Sequence, residues 1–368
     1  VHLTLVPEVA GGELKTKPTQ HSVKELLEIG IQPDILLCRA PTPLDEDLRR
    51  KIALFTNVEY EAVISAYDVA GTIYEIPYIY HQQGLDAIAL RKMQIPAPDA
   101  QLEDWRRVVD VAKNATRTVR IAMVGKYIDL NDSYKSVDEA LFHGSIECES
   151  KIELVKLDSE KLEKNDNLAE ALADVDGILI PGGFGSRGIQ GMINVAEYAR
   201  NHQVPYMGIC LGMQVMVIEY ARNVLGYEEA NSTEFAPECE YPVVSLLEEQ
   251  IEIKNYGGTM RLGLSDSITM AGSLLRTAYG SERIAERHRH RYEVSNKYRE
   301  SLEKGGLRVA GVTPDGALVE SVEWPQHPWG LGVQFHPEFG SKPVAAHPLF
   351  RNFIAASLTH MTARTEGS

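Results

Sequence analysis

Along residues 1–93 the apolar positions switch repeatedly between two periods. HLTLVP, DILLCRA and AVISA are short apolar runs bounded by turn residues, and they predict strands. SVKELLEIG, LDEDLRRKIALFT and QGLDAIALRKM space their apolar residues three and four apart, and they predict helices. The first of these helices carries a capping-box pair, Ser22 with Glu25, and Gly30 as its stop. QIPAPDAQ then interrupts the pattern with proline and polar residues, and a helix around LEDWRRVVDVAKNA follows. The expected division is therefore 1–93, a connecting segment 94–117, and 118–368. The last part opens a second alternating series, with strands expected at 119–124, 152–157, 177–180 and 204–209. From about residue 241 short strands mix with turns until a strand returns at LGVQF. Strands alternating with helices imply parallel sheets covered by helices, so both domains are expected to be α/β.

The bulk numbers narrow the function. With 368 residues, 44% of them hydrophobic, the chain supports two separate cores. A net charge of −15 argues against a nucleic-acid partner. No apolar run reaches membrane-spanning length and no secretory signal is present. Cys38, Cys148, Cys210 and Cys239 form neither a C-x-x-C pair nor a zinc spacing, so no metal site is expected and a reduced, cytoplasmic protein fits best. The chain opens in a strand-like run, VHLTLVP, without methionine, which reads as part of a longer protein.

GICLGMQ places Cys210 between an expected strand and an expected helix. At a helix N-terminus the backbone dipole favours thiolate over thiol. Gly208 and Gly212 leave room for a sharp turn, as in the nucleophile elbow G-x-S-x-G with cysteine for serine. A buried packing cysteine fits this stretch equally well.

Two further segments supply what a nucleophilic thiol needs. In GVQFHPEFG, His336 and Glu338 are two residues apart; in an extended segment both side chains point the same way, and Glu338 would orient the imidazole that takes the thiol proton. A metal pair or a surface turn is the alternative, but a zinc site needs more ligands than stand nearby. In DGILIPGGFGSRG a buried strand ends in a glycine-rich turn, where Gly182 and Gly183 bring backbone N–H groups close to a substrate. Leu211 would offer the second N–H of an oxyanion hole. A phosphate loop is the alternative, but G-x-x-x-x-G-K-[ST] is not present in that turn.

Together, PGGFG, GICLGMQ and FHPEF resemble the class I, triad-type glutamine amidotransferase family over about residues 118–360. ANSTEF, GGTMRLG and ERHRHRYEV, with KTKPTQHSV and IQPDILLCRA, are similar to the CTP synthase family, so the resemblance covers essentially the whole chain. It implies the end of a P-loop-type amidoligase domain followed by a class I glutaminase domain. It also implies ATP-dependent amination of UTP to CTP with ammonia from L-glutamine. Cys210, His336 and Glu338 would form the triad. Gly183, Leu211, Gly212, Met213, Gln214, Glu234 and Arg291 would form the glutamine pocket, with Arg291 on the α-carboxylate and Glu234 on the α-amino group. Arg287, Arg289 and Arg291 alternate on one face, and a guanidinium fork suits a carboxylate. A solvated basic patch is the other reading of that run.

KTKPTQ brings two lysines, two hydroxyls and an amide around Pro18, which would fix a bend. An exposed loop is the plain reading; the resemblance implies a clamp on the UTP triphosphate, overlapped by the inhibitor CTP, formed by Lys15, Thr16, Lys17, Pro18, Thr19, Gln20 and Lys51. Asp68 and Val69 match the segment near the ATP adenine, and Arg187 with Gly188 the lid linked to GTP activation, where Gln190 replaces a frequent glutamate. The resemblance further implies Mg2+ and a homotetramer. Its ATP phosphate loop and magnesium carboxylates are expected upstream of residue 1. A glutaminase serving another synthetase, and a catalytically inactive filament or scaffold form, are the competing readings. Cys38, Cys148 and Cys239 read as structural.

Overall fold

The structure is a computed structural model that describes residues 1–128, 132–164, 168–246 and 260–366. The chain divides into two compact units, Val1–Asn114 and Ala115–Ser368.

In the first unit, strands His2–Leu5, Leu36–Ala40 and Val63–Tyr67 form a parallel sheet with Leu36–Ala40 in the middle. Its core gathers Val6, Val23, Ile35, Cys38, Ile52, Ile64 and Ile88. The expected strands are present, but the first helix differs. It runs Lys17–Glu28, so Ser22 lies inside it and no Ser22–Glu25 capping box forms. Pro18 sits in its first turn, where the missing N–H costs no hydrogen bond and the fixed φ already suits a helix. The proline therefore starts the helix rather than bending a loop. Gly30, at φ +84°, does end it. The second helix, Glu46–Thr56, is capped by Asp45, which accepts from Leu48 N at 2.8 Å. A short helix, Ile76–Gln82, lies within YEIPYIYHQ, a stretch whose aromatic residues obscure any helical period. The helix Glu103–Asn114, read from sequence inside the connecting segment, is part of the first unit. There Trp105 meets Tyr74 at 5.8 Å between ring centroids, and Lys113 pairs with Glu75 at 2.7 Å.

In the second unit, nine strands among the described residues form one mixed sheet. Their order is Arg283–His290, Arg261–Thr269, Arg308–Val312, Val319–Glu323, Gly330–Val333, Tyr206–Ile209, Gly177–Ile180, Thr118–Gly125, Lys151–Asp158. From Gly330–Val333 to Lys151–Asp158 every pairing is parallel; on the other side every pairing is antiparallel. The inner parallel strands Gly330–Val333, Tyr206–Ile209 and Gly177–Ile180 are buried on both faces because both are covered. Ile178, Ile180 and Tyr206 pack in one core with Met192, Val195 and Val215; Leu179, Met207 and Ile209 pack in the other with Leu141, Phe350 and Phe353. The expected strand 204–209 starts at Tyr206, because Pro205 has no N–H for the ladder. The first three residues of GGTMRLG, 257–259, lie outside the described residues.

Candidate active site

In an open parallel sheet, ligands bind beyond the carboxyl ends of the strands. Gly177–Ile180, Tyr206–Ile209 and Gly330–Val333 are neighbours running the same way, in register Ile180 to Gly208 and Val333 to Ile209. The three chemistry-bearing segments each begin where one of these strands ends, so segments far apart in sequence emerge side by side.

Cys210 sits at the junction of Tyr206–Ile209 with the helix Leu211–Asn223, at φ 51° and ψ −99°. That strained turn is held by its N–H donating to Val333 O at 2.7 Å. It requires glycine on both sides. A Cβ on Gly212 would lie 2.2 Å from the carbonyl oxygen of Ile180, and one on Gly208 would lie 2.6 Å from Gly212 backbone atoms. Cys210 is buried yet lines a cavity of about 370 Å³. The other cysteines sit apart from this cavity, and their thiols are pushed up by burial: Cys38 in the sheet core, Cys148 with added repulsion from Glu147, and Cys239.

His336 follows the neighbouring strand, its N–H held by Arg287 O at 2.8 Å. Its Nδ1 lies 2.8 Å from Glu338 Oε1. The pair forms as expected, but through a 3₁₀ turn over Pro337–Gly340 rather than an extended segment. Proline at the start of that turn brings the carboxylate back under the ring. With Nδ1 paired to the carboxylate, Nε2 is the ring atom left to exchange a proton with the Cys210 sulfur. Burial works against charging the ring, but the Cys210 sulfur and the Glu338 carboxylate outweigh it and raise His336 to about 10. A Cβ on Gly182 would touch His336 Cε1 at 2.9 Å and Cys210 Cβ at 3.6 Å, so the glycine-rich turn closes over both.

That turn is supported from beneath by a residue not singled out in the sequence. Lys126, just beyond the strand Thr118–Gly125, donates to the carbonyls of Phe184 and Gly185. Burial lowers it to about 8, with Glu234 opposing and Arg187 adding to the shift. Its place at the end of a parallel strand was the available signal.

The residues expected to form a glutamine pocket divide into two groups. Gly183, Gln214, Glu234 and Arg291 line the cavity with Cys210, joined by Phe184, Arg289 and Tyr292. Glu234 follows the short strand Ala230–Ser232 and accepts from Gly185 N at 2.8 Å. Leu211 and Gly212 begin the helix, and the side chains of Leu211 and Met213 point into the core, so these three offer backbone only. Arg287 and Arg289 do share the exposed face of Arg283–His290, and Arg291 lies just past its end, also exposed. The opposite face was missed: the same alternation buries His288 and His290. His288 Nδ1 and His290 Nε2 are 2.9 Å apart, and His290 Nδ1 is 3.2 Å from Tyr292 O. Burial and Arg261 hold His288 down to about 2 and His290 to about 3, so both are neutral.

Elsewhere the structure places the remaining candidates as follows. Arg187 donates to Lys126 O and pairs with Glu160, and Gly188, at φ +67°, opens the helix Ile189–His202. Gln190 is engaged by Asn194 and Arg222. In the first unit, Lys15 pairs with Glu13 at 2.6 Å, and Lys51 also acts on Glu13. Thr16 stands at the N-cap position of the helix that holds Lys17, Pro18, Thr19 and Gln20, without a side-chain capping bond. Gln20 donates to Thr16 Oγ1, and the buried Thr19 hydroxyl donates to Leu5 O. Asp68 pairs with Arg39, and Val69 follows, partly buried.

Comparison with known proteins gives a consistent picture. The family model described as glutamine amidotransferase class-I matches residues 129–356, and that described as CTP synthase N-terminus matches residues 1–95. The CTP synthase of Geobacter sulfurreducens is 53% identical over 366 residues, covering 99% of this chain and 68% of that protein. That of Syntrophus aciditrophicus is 53% identical over 367 residues, covering 100% and 68%. A solved structure described as the glutaminase domain of Trypanosoma brucei CTPS with bound acivicin is 42% identical, with a TM-score of 0.62, covering 66% of this chain and 94% of that one.

Proposed function

The chain belongs to the CTP synthase family, and on that premise we propose that the Cys210 pocket is where ammonia is released from L-glutamine. The reaction of the chain is that of a glutamine-hydrolysing CTP synthase: ATP-dependent amination of UTP to CTP. The observation that carries the site assignment is the convergence of Gly182–Gly183, Cys210 and His336–Glu338 at three adjacent strand ends.

The residues supply each step of thiol acyl transfer. His336 Nε2 takes the thiol proton, and Glu338 stabilises the imidazolium and fixes its tautomer. Sγ attacks the side-chain amide carbon of glutamine. The N–H groups of Gly183 and Leu211 stabilise the oxyanion. His336 returns the proton to the leaving nitrogen, and ammonia departs. Water, deprotonated by the same imidazole, then cleaves the thioester and glutamate leaves. Arg291 holds the α-carboxylate and Glu234 the α-amino group, which selects an amino acid over a simple amide.

Replacing Arg291 with lysine exchanges a two-pronged fork for a point charge. Glutamine KM is expected to rise by about tenfold to a hundredfold with kcat little changed. A steady-state glutaminase assay reads this directly; an unchanged KM would move the carboxylate contact to Arg289.

In the first unit, Lys15, Thr16, Lys17 and Lys51 are proposed to hold the UTP triphosphate, with CTP competing there, and Asp68 and Val69 to lie near ATP. Pro18, Thr19 and Gln20 would shape that helix start. GTP would act at Arg187 and Gly188, and a cytoplasmic homotetramer would be the working form. Mg2+ belongs to the ATP chemistry. Among the described residues no three His, Cys, Asp or Glu side chains cluster so as to hold it, so the residues described do not fit that ion and the glutaminase steps rest on the protein's own groups.

A further inference from the structure

Beyond the triad, one fully buried polar side chain reaches the nucleophile. Gln334 lies between the strand Gly330–Val333 and His336, with no exposed surface. Its Nε2 donates to Cys210 Sγ at 3.6 Å, and its Oε1 accepts from Gln214 Nε2 at 3.3 Å. Burying an amide here instead of an apolar side chain costs free energy unless the hydrogen bonds are specific.

The orientation of that amide is fixed by a chain of groups with only one consistent assignment. It begins at the carbonyl of Tyr292, which can only accept. The carbonyl takes one hydrogen bond from His290 Nδ1 and one from Gln214 Nε2, each at 3.2 Å. The Gln214 contact requires that its NH₂, not its oxygen, faces the carbonyl. The same NH₂ then faces Gln334, so Gln334 must present oxygen to it and NH₂ to the sulfur. Flipping Gln334 would set two donors against each other at one end and an oxygen against the sulfur lone pairs at the other. The backbone holds the residue as well, with Gln334 N donating to Glu320 O at 2.9 Å.

We propose that Gln334 is a positioning residue for the nucleophile: it donates one N–H to Cys210 Sγ, which directs the sulfur and favours its ionised form. A donor to sulfur stabilises thiolate more than thiol, because the charged sulfur is the better acceptor. The arrangement also ties the nucleophile to the pocket wall, since Gln214 and Tyr292 line the cavity that would hold substrate. The charged groups around the sulfur are His336 and Glu338 on one side and Glu234, Arg289 and Arg291 across the cavity. The role in hydrolysis rests on the glutaminase reading above, whereas the sulfur contact itself does not.

The test is alkylation of Cys210 by iodoacetamide as a function of pH, read by peptide mass spectrometry, in the full chain and its Gln334→Met variant. Methionine keeps the length and removes the donor. The pH at half-maximal alkylation rate is expected to move up by about one unit, and the rate at pH 7 to fall about tenfold. Glutamine kcat/KM should fall by about the same factor while KM stays within about twofold. If the methionine variant does not fold by circular dichroism, Gln334→Asn keeps the amide but withdraws it from the sulfur, and the same shift is expected. An unchanged midpoint in a folded variant would overturn the proposal and leave Gln334 as packing. A shifted midpoint in a chain that hydrolyses no glutamine would uphold the sulfur contact and refute the glutaminase reading instead.

Discussion

Cys210→Ala is expected to abolish glutamine hydrolysis, lowering kcat by about 10⁴-fold or more while the fold is retained. In the proposed mechanism the thiol supplies the only covalent step, so nothing else in the pocket would substitute for it. Removing one sulfur from a small buried site leaves the elbow intact, because its strain is held by backbone: Cys210 N on Val333 O, and the two glycines against each other and against Ile180. Thermal unfolding and far-UV circular dichroism should therefore match the parent chain. Release of ammonia or glutamate at parental rate would show that another group performs the attack.

Gly212→Ala is expected to damage the same site without touching any reacting atom. The added methyl would sit 2.2 Å from the Ile180 carbonyl oxygen and 3.0 Å from its carbon. Backbone cannot yield there as the end of a flexible side chain would, so the helix start must move away from the strand that leads into Gly182–Gly183. Displacing the nucleophile from its oxyanion donors by about 1 Å costs roughly 100-fold in rate. The overpacked contact costs roughly 1–3 kcal/mol of stability. Chemical denaturation and the glutaminase assay should therefore fall together, unlike in Cys210→Ala. A variant with parental activity would mean that the close approach of helix and strand does not set the site.

Much of this site was legible because its constraints are steric and local. A strand must end in Gly-Gly to pass a substrate, and a strand-to-helix elbow must have glycine on both sides. Both requirements leave marks in a single sequence. The His336–Glu338 pair was legible by spacing, though its geometry comes from a 3₁₀ turn that proline begins and not from strand alternation. The helix at Lys17–Glu28 was misplaced because Ser22 with Glu25 mimics a capping box, while the true start relies on Pro18 with no side-chain cap. Glu234 and Arg291 were chosen by resemblance, and it is the small sheet of Ala230–Ser232, Tyr241–Ser245 and Glu293–Val294 that carries both to the cavity. Gln334 was not legible and Lys126 was marked only by its place at a strand end, since one polar residue beside a strand end looks like any other until its neighbours are known. His288 and His290 were half visible: the alternation that exposes the arginines also demands a buried face, and the residues on it are histidines that stay neutral.

The central claim is that one of four cysteines is the nucleophile of a glutamine-specific pocket. It is tested most directly by treating the chain with a glutamine-mimicking electrophile such as acivicin and mapping the adduct by mass spectrometry. The account predicts a single adduct on Cys210, suppressed by excess glutamine and absent in Cys210→Ala. It predicts none on the three other cysteines, whose thiols burial pushes up. An adduct on Cys38, Cys148 or Cys239, or labelling of Cys210 that glutamine does not suppress, would contradict it.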